Sequence, residues 1–188
     1  MTIEPNRQDG TTVDADLGDV RAAQRDRAAF GALYRRYIDR VYGYCFYLLG
    51  DHHDAEDATE RTFLAALGAI ERYRDEGASF RAWLFRIAHN QVANTLRGRA
   101  RRHATPLDDV PEPMVDDDPA GLVGLAEETR RLRRALATLP EDRRQVVILR
   151  FVDGLSAREI GVVLGRSEGA VRVLQHRALR QLAQALRS

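Results

Sequence analysis

The 188-residue chain contains no lysine; all 29 of its basic residues are arginine. Its single cysteine, Cys45, excludes an internal disulfide framework and any cysteine-based zinc site. No apolar stretch approaches the roughly 18 residues a membrane helix needs. The first 19 residues are acidic and lack an apolar core, so they do not read as a signal peptide. A Gly-rich phosphate loop and a nucleophile motif are both missing. Secreted, disulfide-stapled and membrane-spanning classes are thereby disfavoured, and a reducing, cytoplasmic compartment is expected. What is present is 44% apolar and 30% charged residues, the composition of a soluble globular protein.

The net charge is only +1, but the charges are segregated. Residues 1–19 carry one arginine and five carboxylates, and residues 20–103 carry fifteen arginines against ten carboxylates. Residues 104–129 hold eight carboxylates and no arginine, and residues 130–188 thirteen arginines against five carboxylates. Basic blocks attract polyanions, although an arginine-rich face can also be merely solvated. Four of the six prolines fall in TPLDDVPEPMVDDDPAG, within the acidic block. Proline and like charges favour an extended, poorly packed segment. The expected organisation is a disordered head (1–19), a domain (20–103), an acidic flexible linker (104–129) and a second domain (130–188).

Both domains read as helical, giving an all-α fold class of two small helical domains. Phe30, Leu33, Tyr34, Tyr37, Val41, Tyr44 and Leu48 recur at spacings of three and four, one face of a helix over 26–49. Gly50-Asp51 stops that helix and starts a second, to about Ile70, with Leu64 and Leu67 expected inward. Ser79 suits the N-cap of a third helix, Phe80 to about Arg102. Beyond the linker, about Leu122–Leu139 is expected to be helical, and Pro140 suits the first position of the next helix. The run VVIL (146–149) has strand character, but the helix signals flanking it favour helix.

Ser156-Ala157-Arg158-Glu159 is a capping box, serine at the cap and glutamate three residues on. It opens a short helix to Leu164, followed by a turn, Gly165-Arg166-Ser167, and a helix from Glu168. Ile160, Leu164, Val171 and Leu174 fall where two steeply crossing helices share a core, with the small Gly161 at their approach. This is a helix-turn-helix pattern, whose second helix normally enters the major groove. Arg172, Val173, His176 and Arg177 lie off its apolar face; an arginine can read guanine edges and a valine can meet a thymine methyl. Between Gly77 and Leu107 six arginines and no carboxylate are interleaved with Phe80, Trp83 and Phe85. Arginines can track phosphates and exposed aromatics can stack on bases, though Trp83 and Phe85 also suit a core. Asp51, Asp54, Glu56, Asp57 and Glu60 crowd the start of the preceding helix, more acid than a helix dipole needs, which suits a basic protein partner.

DAEDATERTFLAAL (54–67), FRAWLFRIAHNQVANTLRGRARR (80–102) and LPEDRRQVVILRFVDGLSAREIGVVLGRSEGAVRVLQHRALRQL (139–182) together resemble an extracytoplasmic-function sigma factor of the sigma-70 family. The resemblance covers roughly residues 20–186 and implies sigma regions 2 and 4, without region 1 or 3 domains and without an appended sensor domain. It implies a promoter-specificity subunit of bacterial RNA polymerase, not an enzyme, with no cofactor, no metal and no catalytic residue. Asp54, Glu56, Asp57, Glu60, Thr62 and Phe63 would bind core polymerase. Trp83, Arg86, His89 and Asn90 would meet and open the −10 element, and Arg97, Arg99, Arg101 and Arg102 would hold its phosphates. Ser167, Glu168, Arg172, Val173, His176 and Arg177 would lie at the −35 element. Promoter DNA, core polymerase and an anti-sigma factor are the implied partners. Two features depart from the family's pattern: Arg166 stands where an apolar turn residue is usual, and the recognition helix carries VRVLQHRA rather than a polar series.

Other classes fit less. A stand-alone helix-turn-helix regulator explains the C-terminal half but not the acidic helix followed by the arginine–aromatic one. His52-His53-Asp54 with Asp57 resembles a fragment of a metal phosphohydrolase site, without a convincing distant ligand set.

Overall fold

A computed structural model of the chain describes residues 9–75, 77–103 and 134–185. Seven α-helices of more than one turn are described: α1 Asp9–Arg25, α2 Phe30–Leu49, α3 His52–Ala69, α4 Phe80–His103, α5 Glu141–Val147, α6 Ala157–Leu164 and α7 Glu168–Ala185. The described residues include no strand. The acidic linker and most of the expected 122–139 helix lie outside them; of the latter, 134–137 is helical.

The expected disordered head is corrected over residues 9–19, which form most of α1. The physical reason is pairing of the acids that suggested exposure. Asp16 is buried and accepts from the Tyr37 hydroxyl and from Arg36 Nη1 at 2.7 Å, while Asp19 accepts from Arg36 Nη2 at 2.6 Å. Val20 and Ala23 then bury in the core beside them.

α2, α3 and α4 form the first bundle. Gly50, at φ 72°, ends α2 in the left-handed conformation that glycine tolerates, its N–H bonding Phe46 O at 2.9 Å. Asp51 caps α3 by accepting from Asp54 N at 2.8 Å. Leu33, Tyr37, Val41 and Tyr44 of α2 bury against Phe80, Leu84, Phe85 and Ala88 of α4. Fully burying each large side chain of this set stabilises by roughly 1.5–3 kcal/mol. Leu64 departs from its expected inward position and is 60% exposed. The apolar stripe of α2 and α3 is wider than the bundle covers, and Leu64 lies at its uncovered edge, with Tyr34 across from it on α2.

In the second half, Pro140 is the N-cap of α5 rather than its first residue. VVIL is helical, as expected: Val146-Val147 closes α5 and residues 148–152 continue as a wide π turn. The capping box is complete, Ser156 Oγ accepting from Glu159 N and Glu159 Oε2 from Ser156 N. Gly165, at φ 63°, ends α6. A Cβ on Gly161 would lie 2.6 Å from Arg166 O, so glycine is required where the turn folds back on α6. Arg166 itself is exposed, and its N–H bonds Gly161 O at 2.9 Å, so the non-apolar turn residue disturbs no core packing. The two halves meet: α6 packs on α4, and the π turn packs on α2.

Candidate polymerase and promoter interfaces

Three surfaces carry the expected site residues. The first is a groove of about 720 Å³ between α2 and α3, lined by Phe30, Tyr34, Ile38, Tyr42, Glu56, Glu60, Phe63, Leu64 and Leu67 among others. Phe63 is buried and meets Phe30 and Tyr34 edge-on at 6.4 and 4.8 Å. Glu56 and Glu60 stand exposed at its side. The groove is therefore an apolar slot with an acidic edge, suited to an amphipathic helix with basic flanks. Thr62 points inward, its hydroxyl donating to Ala58 O at 2.6 Å, and Asp57 pairs with Arg61 at 3.1 Å. Asp54 is also drawn inward, since Arg99 donates to it through Nε at 2.6 Å and through Nη2, and through Nη1 to Leu49 O at 2.8 Å. Arg99, expected on phosphate, thus ties the end of α2 and the start of α3 to α4.

The second surface is the exposed side of α4. Arg86, Asn90, Arg97, Arg101 and Arg102 are exposed, Arg97 donating to Asn94 Oδ1 one turn away. Trp83 is half-buried, packed against Tyr73 and Phe80 with centroids 5.1 and 5.5 Å apart, so its core and contact readings each hold in part. Phe85 is wholly core. His89 Nδ1 lies 3.2 Å from the Tyr44 hydroxyl; burial lowers its pKa, and Glu141 works weakly the other way. A hollow lined by His89, Ala93, Glu141, Gln145, Leu164 and Arg166 shows that α5, α6 and the turn overhang this part of α4.

The third surface is the outer face of α7. Val171, Leu174 and Ala178 are buried, whereas Arg172, Val173, His176 and Arg177 are exposed on the opposite side. Ser167 caps the helix by accepting from Ala170 N at 3.2 Å, and Glu168 pairs with Arg172 at 2.6 Å. The arginine head group is thereby held along the helix, where a duplex can compete for it.

Two family models match the chain: Sigma-70 region 2 over residues 33–102 and Sigma-70, region 4 over residues 129–182. The chain belongs to the sigma-70 family. Among its relatives, the ECF RNA polymerase sigma factor BldN of Streptomyces coelicolor is 38% identical over 88% of this chain and 63% of its own length. The ECF RNA polymerase sigma factor SigD of Mycobacterium tuberculosis is 35% identical over 97% of this chain and 85% of its own. The chain thus spans less than two thirds of BldN and most of SigD. Among solved structures, CnrH in complex with the cytosolic domain of CnrY matches at TM-score 0.70 and 28% identity, covering 92% of this chain and 97% of that one.

As an extracytoplasmic-function sigma factor, the chain is a promoter-specific, non-enzymatic initiation subunit that works with RNA polymerase. The match to region 2 rules against a stand-alone helix-turn-helix regulator. The metal fragment also dissolves into other bonds. His52 Nδ1 lies 2.6 Å from the Tyr42 hydroxyl with its ring 4.3 Å from Phe46, Asp54 serves Arg99, and Asp57 serves Arg61. The described residues include no group of three that could hold a metal, and none of their helices is long and apolar enough to cross a membrane.

Sequence reasoning missed Tyr34 and Leu64 as surface residues, because helical periodicity marks an apolar stripe without saying how much of it a neighbour covers. It also missed Arg40, Arg81, Asp153 and Glu159, which join the two halves. Ser79 Oγ donates to Glu159 Oε1 at 2.6 Å, Arg81 Nη2 to Glu159 Oε2 at 2.8 Å, and Arg40 Nη2 to Asp153 O. No local signal marks these pairs, since the partners lie 80, 78 and 113 residues apart.

Proposed function

We propose that the three surfaces divide the sigma factor's work. The groove between α2 and α3 takes a helix of core RNA polymerase, with Phe63, Tyr34 and Leu64 as apolar contacts and Glu56, Asp57 and Glu60 as the acidic edge. Thr62 and Asp54 support that surface from within. α4 meets the −10 element: Trp83, Arg86 and His89 contact the strand, and the Asn90 amide, with two donors and an acceptor, reads an unstacked base. Arg97, Arg101 and Arg102 hold phosphate, with Arg99 positioning the helix. Ser167, Glu168, Arg172, Val173, His176 and Arg177 meet the −35 major groove. Melting is driven by capture of unstacked bases, without a cofactor or ATP.

The observation that carries this reading is the two-sidedness of α7, whose apolar residues are buried and whose Arg172, Val173, His176 and Arg177 are exposed. The division into a first half ending at residue 103, which α1 joins, an acidic linker 104–129 and residues 130–188 belongs to the same reading. Extended, 26 linker residues reach roughly 85 Å, enough for two promoter elements about two helical turns, or roughly 70 Å, apart. CnrH was solved in complex with the cytosolic domain of CnrY; for this chain an anti-sigma factor is proposed as a protein partner, in the cytoplasm.

Run-off transcription by bacterial core polymerase, with and without the chain, tests the reading. Promoter-specific transcripts are expected only with the chain. Asp57→Arg with Glu60→Arg is expected to lower affinity for core polymerase roughly tenfold or more by reversing the acidic edge. Unchanged affinity would refute the groove as the docking surface.

A further inference from the structure

The seam between the two halves holds two carboxylates in opposite circumstances. Glu159 of α6 is saturated with hydrogen bonds. It accepts from Ser79 Oγ, from Arg81 Nε at 3.3 Å and Nη2 at 2.8 Å, and from Ser156 N at 2.8 Å. Asp153, just after the π turn, is fully buried, and neither side-chain oxygen has a hydrogen-bond partner among the described residues. Arg40 is bound to the Asp153 backbone oxygen and not to its carboxylate. A buried carboxylate without hydrogen bonds is costly in its charged form and tolerable in its neutral one.

We propose that Asp153 and Glu159 form a proton-dependent latch between the two halves: closure buries Asp153 as the neutral acid and so takes up one proton from solvent, and opening returns it. Glu159 supplies the directional bonds of the latch, and Asp153 supplies its dependence on pH.

The groups around Asp153 set the sign. Arg40 of α2 and Arg81 of α4 favour its charged form, but burial outweighs them and pushes its pKa up to about 8. Tyr44 and Cys45 of α2 also face it; burial raises both, and the Cys45 thiol, pushed up to about 12, stays protonated. Glu159 of α6 loses hydration on burial, yet the bonds from Arg81, Ser79 and Ser156 hold it at about 2, so it remains charged throughout the neutral range. Glu141 of α5 acts on Tyr44 and on His89 of α4, whose pKa burial lowers in the closed chain. An opened Asp153 titrates in the ordinary carboxylate range near 4 and an opened His89 near 6.5. Closure therefore binds a proton at Asp153 between roughly pH 4 and 8, and below roughly 6.5 His89 works against it. From about pH 6.5 to 8 Asp153 alone sets the slope, and the closed-to-open ratio falls by up to about tenfold per pH unit.

The consequence for promoter use rests on the reading of α4 and α7 given above. Asn90 is eleven residues along α4 from Ser79, and Arg177 is eighteen residues beyond Glu159. As helix, eleven residues rise roughly 17 Å and eighteen roughly 27 Å, and the turn after Leu164 shortens the second path, so both faces stay short of the roughly 70 Å between two promoter elements. The latch must open before one chain can hold both.

The test uses the full chain without polymerase, so its failure is separate from any failure in transcription. Carboxyl-carbon NMR of the wild type is expected to show one group titrating near pH 8 that is missing from Asp153→Asn. Ser79→Ala with Arg81→Ala removes the bonds to Glu159 from the first half while leaving the capping box intact. That variant is expected to keep its helix content, to scatter X-rays as a larger particle, and to return the group to the ordinary carboxylate range. The latch is overturned if no wild-type carboxyl titrates above pH 6, if the double variant stays as compact as the wild type, or if its Asp153 still titrates near 8 when scattering shows it open.

Discussion

α4 and α7 are both arginine-bearing helices with one buried face, yet they meet solvent differently. The reading face of α7 is open: Arg172, Val173, His176 and Arg177 are exposed, and the Glu168–Arg172 ion pair there is local and exposed. α4 is built into its surroundings. Arg81 at its first turn is bound to Glu159 of the other half, His89 is half-buried beneath α5 and α6, and Arg99 near its end secures Asp54 and Leu49 O. Arginine content alone therefore says little about which arginines serve nucleic acid. A side chain that answers a half-buried carboxylate on another element is part of the fold, and one that answers only its own helix is available to a ligand.

The sharpest way to break this comparison is to truncate on the open helix. Arg172→Ala with Arg177→Ala is expected to cost about 3 kcal/mol of promoter binding, on the order of a hundredfold, from two lost base or phosphate contacts. Thermal unfolding should be unchanged, because both side chains are exposed. A destabilised chain with undiminished promoter use would reverse the assignment of α7.

Two arginines three residues apart on α4 make the same contrast within one helix. Arg99→Ala is expected to cost about 2 kcal/mol of stability, because Asp54 and Leu49 O lose charge-assisted bonds in a partly buried site. Arg102→Ala is expected to change stability by less than about 0.5 kcal/mol and to lower the salt dependence of promoter binding by about one phosphate's worth. Denaturant titration of both variants, with promoter binding at several salt concentrations, separates the two roles. Equal effects on stability would erase the distinction.

The smallest expected effect lies in the groove, to which the helix-turn-helix half contributes no lining residue among those described. Leu64→Asp should lower affinity for core polymerase by about 1.4 kcal/mol, or tenfold, with little change in stability at a position 60% exposed. Titration of fluorescently labelled chain with core polymerase measures it, and wild-type affinity would remove Leu64 from the docking surface.

Much of this was legible in the sequence where the determinants are local. The Ser156–Glu159 capping box, Gly161 at the close approach and the three-and-four spacing of Leu33, Tyr37, Val41 and Tyr44 each depend on neighbours within a few residues. Leu64 misled because a regular apolar stripe does not report its own coverage. The head misleads because an acidic segment without an apolar core suggests disorder, whereas Arg36 on the next helix pairs with both Asp16 and Asp19. Asp153 was illegible for the same reason at longer range: in VDGLS it reads as a turn aspartate. Only the packing of the π turn on α2, 113 residues away in sequence, makes it a buried acid.

The most direct test of the account is selection from a library of randomised promoters with bacterial core polymerase, run with the wild-type chain and with Arg172→Ala, Arg177→Ala. The account predicts chain-dependent transcripts that share two sequence blocks about two helical turns apart, of which the variant blurs only the upstream one. Transcripts with no second block, or a variant that leaves the upstream block intact while altering the downstream one, would contradict the division of labour between α4 and α7.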